Sequence, residues 1–384
     1  MLFDTPAVGE QEADVIYEIQ KLKQSLGYLV AATPKRWTGV LRRNALARAV
    51  RGSNSIEGYV MSVDDAIAVA EGEEPLDAND ATRAAVEGYQ DAMTYVLQLA
   101  TDPHFSYSAA LIRSLHFMMI KYDLPRNPGR WRAGQIFVRD EDKRVTVYEG
   151  PDADLVPPLV DALVGELNEP DSSAAPMVRA AMGHLNLVMI HPFSDGNGRM
   201  ARCLQTLILS RTGTLSPVFS SIEEYLGRNV QAYYDVLAEV GGGSWNPKRN
   251  ARPWVRFCLT AHYRQATTLL RRAREMDRVW SAVEEVVKQY KLPERTVYAL
   301  ADAAFGLRIR NATYRSIAEI SDQLASRDLK LALDAGLLIA QGERRGRFYL
   351  ASDKLKALRQ RTRESKDVPD PFSLALSQLS LLKK

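Results

Sequence analysis

From Pro176 to Ile190 the chain is apolar on every side, interrupted only by Arg179, His184 and Asn186, and it runs straight into His191-Pro192 and the turn Ser194-Asp195-Gly196-Asn197-Gly198. A helix without a polar face has to be buried all round. The segment therefore predicts a central helix enclosed by others, ended by the proline and followed by a second helix over residues 199–211. With 384 residues, 46% of them hydrophobic, there is enough chain for that core and for one or two further domains.

Helical spacing dominates around this centre. Val15, Ile19 and Leu22, and later Tyr89, Met93, Val96 and Leu97, recur at helical intervals, so residues 10–100 read as mainly helical. Asp102-Pro103 breaks that pattern, residues 109–121 resume it, and Pro125-Arg126-Asn127-Pro128-Gly129 reads as a loop. The period then changes. Residues 135–139 and 144–148 alternate apolar and polar about the turn Asp140-Glu141-Asp142-Lys143, the pattern of a β-hairpin and the one pair of strands expected before the last hundred residues. Further helices are expected over 155–167, 224–240 and 253–287, with Gly241-Gly242-Gly243-Ser244 as a flexible connection.

Beyond Pro293 come short helical pieces, then a helix capped by Ser321-Asp322 and stopped at Gly336, then strands at 337–341 and 347–350. That order is helix, turn, helix, wing. Arg327, Lys330, Arg344, Arg345 and Arg347 place positive charge where such a module meets phosphates, so DNA enters as a candidate partner. An amphipathic stretch over 371–382 reads as a docking helix.

Fifty Lys and Arg against 47 Asp and Glu leave no global charge that demands nucleic acid or an anionic membrane. Cys203 and Cys258 stand alone and far apart, which excludes a disulfide framework or a cysteine zinc site and points to a reducing compartment. No stretch approaches the roughly 18 apolar residues of a membrane helix, and residues 1–14 are acidic without an apolar core. The expectation is a cytoplasmic protein with no membrane contact.

The chemistry is concentrated in residues 191–202. Gly196, Asn197 and Gly198 adopt positive-φ turns readily, so they can aim successive N–H groups at an anion where a helix begins. Arg199 and Arg202, three apart on that helix, project from one face and suit a polyphosphate. Asp195 is a hard oxygen ligand of the kind a Mg²⁺ bridging phosphates uses, with helix capping as its plainer role. His191 can take a proton from an attacking hydroxyl near neutral pH. These parts fit nucleotidyl transfer.

Residues 191–202 resemble H-P-F-x-x-G-N-G-R-x-x-R, the signature of the Fic-domain family, with every fixed position present. The resemblance runs over about residues 10–270. It implies a mainly α fold, with an all-helical core and one β-hairpin flap, here followed by a small winged-helix domain. It also implies transfer of AMP from ATP to a Ser, Thr or Tyr hydroxyl of a target protein, with release of pyrophosphate and with Mg²⁺ present. His191 becomes the general base, Phe193 a buried anchor, and Asp195 the metal ligand. Ser194, Gly196, Asn197, Gly198, Arg199 and Arg202 become nucleotide contacts, Tyr233 a contact of the adenine, and Ile136 and Val138 flap residues that clamp the target. Ser53-Asn54-Ser55-Ile56-Glu57-Gly58 is similar to the family's inhibitory [S/T]-x-x-x-E-[G/N], so Ser53, Glu57 and Gly58 imply a brake in which Glu57 pairs with Arg202. The implied division is 1–100 with the inhibitory helix, 101–270 catalytic, 271–292 a connecting helix, 293–355 winged helix, and 356–384 a tail. A homodimer and self-modification are compatible with it.

Other patterns fare worse. Residues 196–201 also fit G-x-G-x-x-[G/A], but a helix and His-Pro precede them where a dinucleotide fold needs a strand. His184 and His191 are spaced for a metal on one helix face, yet Pro192 ends that helix, which leaves His184 as a core residue. Two rivals share the fold: a DNA-binding regulator with a nucleotide-sensing core, and an enzyme that removes AMP or moves another phosphate-containing group.

Overall fold

A computed structural model of the chain describes residues 1–31, 37–140, 145–169, 174–216, 218–343 and 346–373. The fold is mainly α. Helices α1 (Glu10–Ala31), α2 (Thr38–Ile56), α3 (Val63–Ala70), α4 (Asp80–Leu99) and α5 (Ala109–Ile120) precede a hairpin of β1 (Phe137–Asp140) and β2 (Val145–Glu149). Next come α6 (Val156–Asn168), α7 (Pro176–Ile190), α8 (Asn197–Arg211), α9 (Glu223–Arg228), α10 (Val230–Gly241), the two-residue β3 (Gly243–Ser244) and α11 (Arg252–Gln289). The C-terminal part holds α12 (Thr296–Ala304), α13 (Asn311–Ala318), α14 (Asp322–Asp334), β4 (Leu338–Gln341), β5 (Phe348–Ala351) and α15 (Asp353–Thr362). Among the described residues no helix is long and apolar enough to cross a membrane.

The apolar α7 is the buried centre, as its composition requires, and α8 packs against it. Its three polar interruptions are each accounted for. Asn186 accepts from the Phe3 N–H, His184 lies between Gln205 and Tyr233, and Arg179 reaches the carbonyls at the end of α6. Side-chain caps start α3, α4, α5 and α14, where Ser62, Asn79, Ser108 and Ser321 each accept from the N–H three residues on.

Three sequence expectations change. The helix expected over 224–240 is two, because Asn229 sits at φ −130 and ψ 44, outside helical geometry, and its side chain bonds back to the Tyr225 carbonyl. The glycine run at 241–244 is not a free connection. Gly242 and Gly243 take positive φ and turn the chain so that Gly243 and Ser244 pair in parallel with Tyr148 and Glu149. The helix expected over 253–287 is present as α11, a continuous helix of 38 residues that also takes in most of the segment at 271–292. Helix α15 falls where a tail was expected; its sequence is mostly polar, and it is held by buried Leu355 and Leu358 and by the Arg359–Glu275 pair at 2.5 Å.

The C-terminal order of helix, turn, helix and hairpin is present in α13, α14, β4 and β5, with Ile309 bridged to Tyr349. Arg327, Lys330 and Arg347 are exposed there. Arg344 and Arg345, residues 141–143 of the expected hairpin turn and residues 374–382 of the amphipathic stretch lie outside the described residues, while Asp140, expected in that turn, ends β1.

Candidate active site

Helix α7 ends on His191 in the left-handed region (φ 51), an unusual conformation for a non-glycine residue that turns the chain away from the helix axis. The His191 Nδ1–H donates to the Val188 carbonyl at 3.0 Å, which leaves Nε2 as the free acceptor. Burial holds its pKa below the usual histidine value, and the Arg132 guanidinium pushes the same way against Glu57 and Asp195. A half-buried, neutral imidazole with an open nitrogen is equipped to accept a proton.

The loop after it is pinned at several points. Phe193 is fully buried and stacks on the His116 ring with centroids 3.6 Å apart. The Asn197 side chain accepts from the Phe193 N–H and donates to the Phe193 carbonyl, both at 2.9 Å, so it fixes the loop while its backbone opens α8. Arg132 donates from Nε to the His191 carbonyl at 2.8 Å and from its N–H to Pro192 at 2.9 Å. His116 receives the Gly129 N–H on Nδ1 at 2.8 Å and so donates from Nε2 to the Asp195 carbonyl at 2.9 Å. Burial lowers the His116 pKa to about 4, so this histidine stays neutral and structural. The Ser194 hydroxyl donates to the Arg126 carbonyl at 2.6 Å.

Gly196 stands at φ 76, where an added Cβ would lie 2.8 Å from Ile120, so both its conformation and its surroundings require glycine. Helix α8 starts immediately after it, and the first N–H groups of a helix have no partner within the helix. Arg199 and Arg202 project here, each about 1% exposed. Arg199 Nη1 donates to the Tyr122 hydroxyl at 3.1 Å, and its guanidinium lies 5.2 Å from the Tyr59 ring centroid. Arg202 Nε donates to Ser53 Oγ at 2.7 Å, and its Nη2 donates to Glu57 Oε1 at 2.7 Å and to the Ser53 carbonyl at 3.1 Å. Burial alone would lower the Arg202 pKa, but the Glu57 carboxylate outweighs it and holds the guanidinium firmly charged. Arg199 Nε and Arg202 Nη1 are buried donors without a partner. Buried, charged and incompletely bonded donors are costly unless an anion completes them.

Asp195 is half-buried; its Oδ1 accepts from the Gly196 N–H at 2.8 Å, and Arg126 Nε is 3.9 Å from Oδ2. No cluster of three His, Cys, Asp or Glu able to hold a metal occurs among the described residues. A lone carboxylate beside phosphate-seeking arginines fits a Mg²⁺ that takes its remaining ligands from phosphate and water, and does not fit an all-protein cage.

Ser53 and Glu57 come to this site from the end of α2. Gly58 follows at φ 84, a turn that suits glycine, and Gly198 lacks a Cβ where one would stand 2.7 Å from Glu57 Oε1. Tyr233 is placed differently from an open adenine contact. It is 1% exposed, with its hydroxyl 3.1 Å from His184 Nε2 and its ring against Arg202 and Trp254. Its neighbour Tyr234 is 44% exposed, and burial with the nearby Glu57 carboxylate raises its pKa to about 12. In the hairpin, Ile136 and Val138 are half-buried while Phe137 and Arg139 face outward, and β1 pairs only with β2 among the described residues. Arg132, His116, Tyr122 and Tyr59 were not foreseen. The one signal available was the Pro- and Gly-rich loop at 125–129, whose Asn127 and Gly129 take positive φ in a fixed turn between them.

Residues 106–209 match the family described as Fic/DOC. Among curated proteins the chain is similar to the protein adenylyltransferase Fic of Nematostella vectensis, 26% identical over 266 residues that cover 66% of this chain and 55% of that protein. It is also similar to the protein adenylyltransferase fic-1 of Caenorhabditis elegans, 27% identical over 59% of this chain and 44% of that one. The chain thus spans about half the length of the curated relatives it matches. Among solved structures, a Fic family protein from Desulfovibrio desulfuricans G20 superposes with a TM-score of 0.57 at 22% identity, over 91% of this chain and 98% of that one. A fragment of Fic-1 from Caenorhabditis elegans gives 0.53 at 23% identity, over 67% of this chain and 72% of that one. The helical core therefore has the Fic fold, and residues 106–209 of this chain form a Fic/DOC-family domain.

Proposed function

We propose that this chain transfers AMP from ATP to a hydroxyl side chain of a target protein and that Glu57 holds it at rest. The observation that carries the reading is the pair of buried arginines with orphaned donors, Arg199 and Arg202, at the start of α8 beside the open Nε2 of His191. The N–H groups of residues 197–199 and the two guanidiniums receive the triphosphate. Mg²⁺ held by Asp195 would supply charge neutralisation between phosphates. The hydroxyl oxygen attacks the α-phosphorus, its proton passes to His191 Nε2, and the bond from the α-phosphorus to the bridging oxygen breaks so that pyrophosphate leaves with that electron pair. Arg199 and Arg202 stabilise the charge that develops on the leaving group.

The target approaches along the free edge of β1 by strand addition, with Ile136 and Val138 on the inward face. Tyr234, partly open beside Glu57 and Arg202, is better placed than Tyr233 to meet the base of the nucleotide. The catalytic role is assigned to residues 101–270 and a separate role to 293–355. The exposed Arg327, Lys330 and Arg347 support a second reading in which that module meets DNA; a gel shift lost in Arg327→Ala/Lys330→Ala tests it.

ATP labelled at either the α- or the γ-phosphate tests the chemistry. With Glu57→Gly protein and a protein mixture, label enters protein from the α position and not from the γ position. Label from the γ position, or equal α labelling after His191→Ala, refutes adenylyl transfer by this site. Loss of label from pre-modified target without ATP turnover favours removal of AMP.

A further inference from the structure

We infer that the C-terminal module is a clamp on the inhibitory arm, so that docking of residues 296–362 against α2 and α3 keeps Glu57 on Arg202. The inference rests on the proposed brake and extends it to a distant part of the chain.

The contacts fall on both sides of Glu57 and close to it in sequence. Upstream, on the helix that carries Ser53 and ends at Ile56, Arg43 pairs with Asp302 of α12, and Asn44 Nδ2 donates to the same carboxylate at 3.3 Å. Asp302 is buried. Downstream, Ser62 caps α3 only five positions after Glu57, and Arg308 Nη2 donates to its hydroxyl at 2.9 Å. Arg308 also pairs with Asp64 and Asp77, and with Asp65 at 2.8 Å. Arg310 pairs with the other oxygen of Asp65 at 2.6 Å and donates to the Glu74 carbonyl. Asp65 is fully buried and further accepts the Leu76 N–H at 2.8 Å.

This arrangement couples the two regions for a physical reason. A fully buried carboxylate is tolerated only while its cations are present, and both cations on Asp65 come from the C-terminal module. Once Arg308 and Arg310 withdraw, Asp65 has to reach water, and α3 and its cap move with it. The connection from Glu57 to Ser62 is short, and α2 is a rigid rod fastened at its other end through Arg43. Displacement at both anchors is therefore carried to Ser53 and Glu57 and not absorbed by slack chain. Arg308 and Arg310 lie outside the nucleotide site, and none of their partners belongs to it.

The test compares the full-length wild type with Glu57→Gly, Arg308→Ala and Asp302→Asn. Calorimetric titration with ATP and ADP gives the ATP-over-ADP preference, and hydrogen exchange follows residues 50–60 and 62–77. Occupation of Arg202 by Glu57 suppresses the preference, so Glu57→Gly sets the released value. The clamp predicts that Arg308→Ala and Asp302→Asn each raise the preference by about fivefold or more, with faster exchange at 50–60 as well as at 62–77. Combining Arg308→Ala with Glu57→Gly should add nothing further. If exchange at 62–77 rises while the preference and exchange at 50–60 stay at wild-type values, the module is undocked without releasing the brake and the inference is overturned. If Glu57→Gly leaves the preference unchanged, the brake itself fails, and the clamp falls with it. Asp302→Asn keeps the shape of its side chain and probes the opposite anchor, so misfolding of the Arg308→Ala protein alone does not decide the outcome.

Discussion

Removing the Glu57 carboxylate should make the protein less stable and a better receptor for ATP at once. Arg202 is about 1% exposed and Glu57 pairs with it at 2.7 Å. Breaking a buried pair by deleting one partner costs about 3–5 kcal/mol. The Glu57 side chain is 24% exposed and Ser53 keeps two bonds to Arg202, so the lower end, about 3 kcal/mol, applies. For a protein of this size that is a fall in Tm of roughly several degrees. A γ-phosphate can then take the vacated donors, and hydrogen bonds to charged groups contribute about 1.5–3 kcal/mol, or roughly 10- to 150-fold in affinity for ATP over ADP. On the proposed brake the phosphate has to displace Glu57 in the wild type, so the two nucleotides should bind alike there. Thermal unfolding with and without nucleotide, together with titration of ATP and ADP, measures both effects. A Glu57→Gly protein as stable as wild type, or one with no gain in ATP preference, would refute the reasoning.

Three further outcomes follow from the same contacts. Asn197→Ala removes the two bonds that hold Phe193 and strands a buried N–H, which should cost about 1–3 kcal/mol in denaturant unfolding and lower the transfer rate of the Glu57→Gly background; unchanged stability would remove its pinning role. His191 has a lowered pKa, and Glu57→Gly deletes a carboxylate that opposes the lowering, so the acid limb of kcat/KM in that background should lie below pH 6.5; a limb above that value contradicts the base assignment. Burial raises the Glu71 pKa to about 7, with Arg43, Asp302, Ser316 and Glu73 facing it where α3 meets the C-terminal module. Its protonated form is favoured when folded, so its contribution to docking is full below about pH 4.5 and is lost as pH rises through 7; Glu71→Gln should flatten that part of the stability profile.

How far the sequence could be read depends on the range of the interactions involved. The α7 and α8 pair was legible because a helix apolar on all sides admits one environment, and the loop between them because its glycines, histidine and arginines are local in sequence. Glu57 was legible only through a short pattern, since its partner is 145 positions away. Arg132 and His116 reach the loop across 59 and 79 positions and carry no motif, so nothing in the chain marks a buried arginine that bonds carbonyls or a histidine that stays neutral. The break at Asn229 and the strand at Gly243 escaped for the opposite reason. Helical periodicity continues across Asn229, and glycines that look flexible are the residues a sharp turn into a parallel pairing needs. Helix α15 has too few apolar residues to show a face, and its stability comes from docking on α11.

Intact-mass analysis after incubation with Mg²⁺ and ATP tests the central claim most directly, on wild type, Glu57→Gly and Glu57→Gly/His191→Ala with an equimolar protein extract as acceptor. The account predicts the added mass of AMP on protein in the Glu57→Gly reaction, less in the wild-type reaction, and none with the double variant. An adduct that persists without His191, or none in any reaction although Glu57→Gly binds ATP tightly, would contradict it.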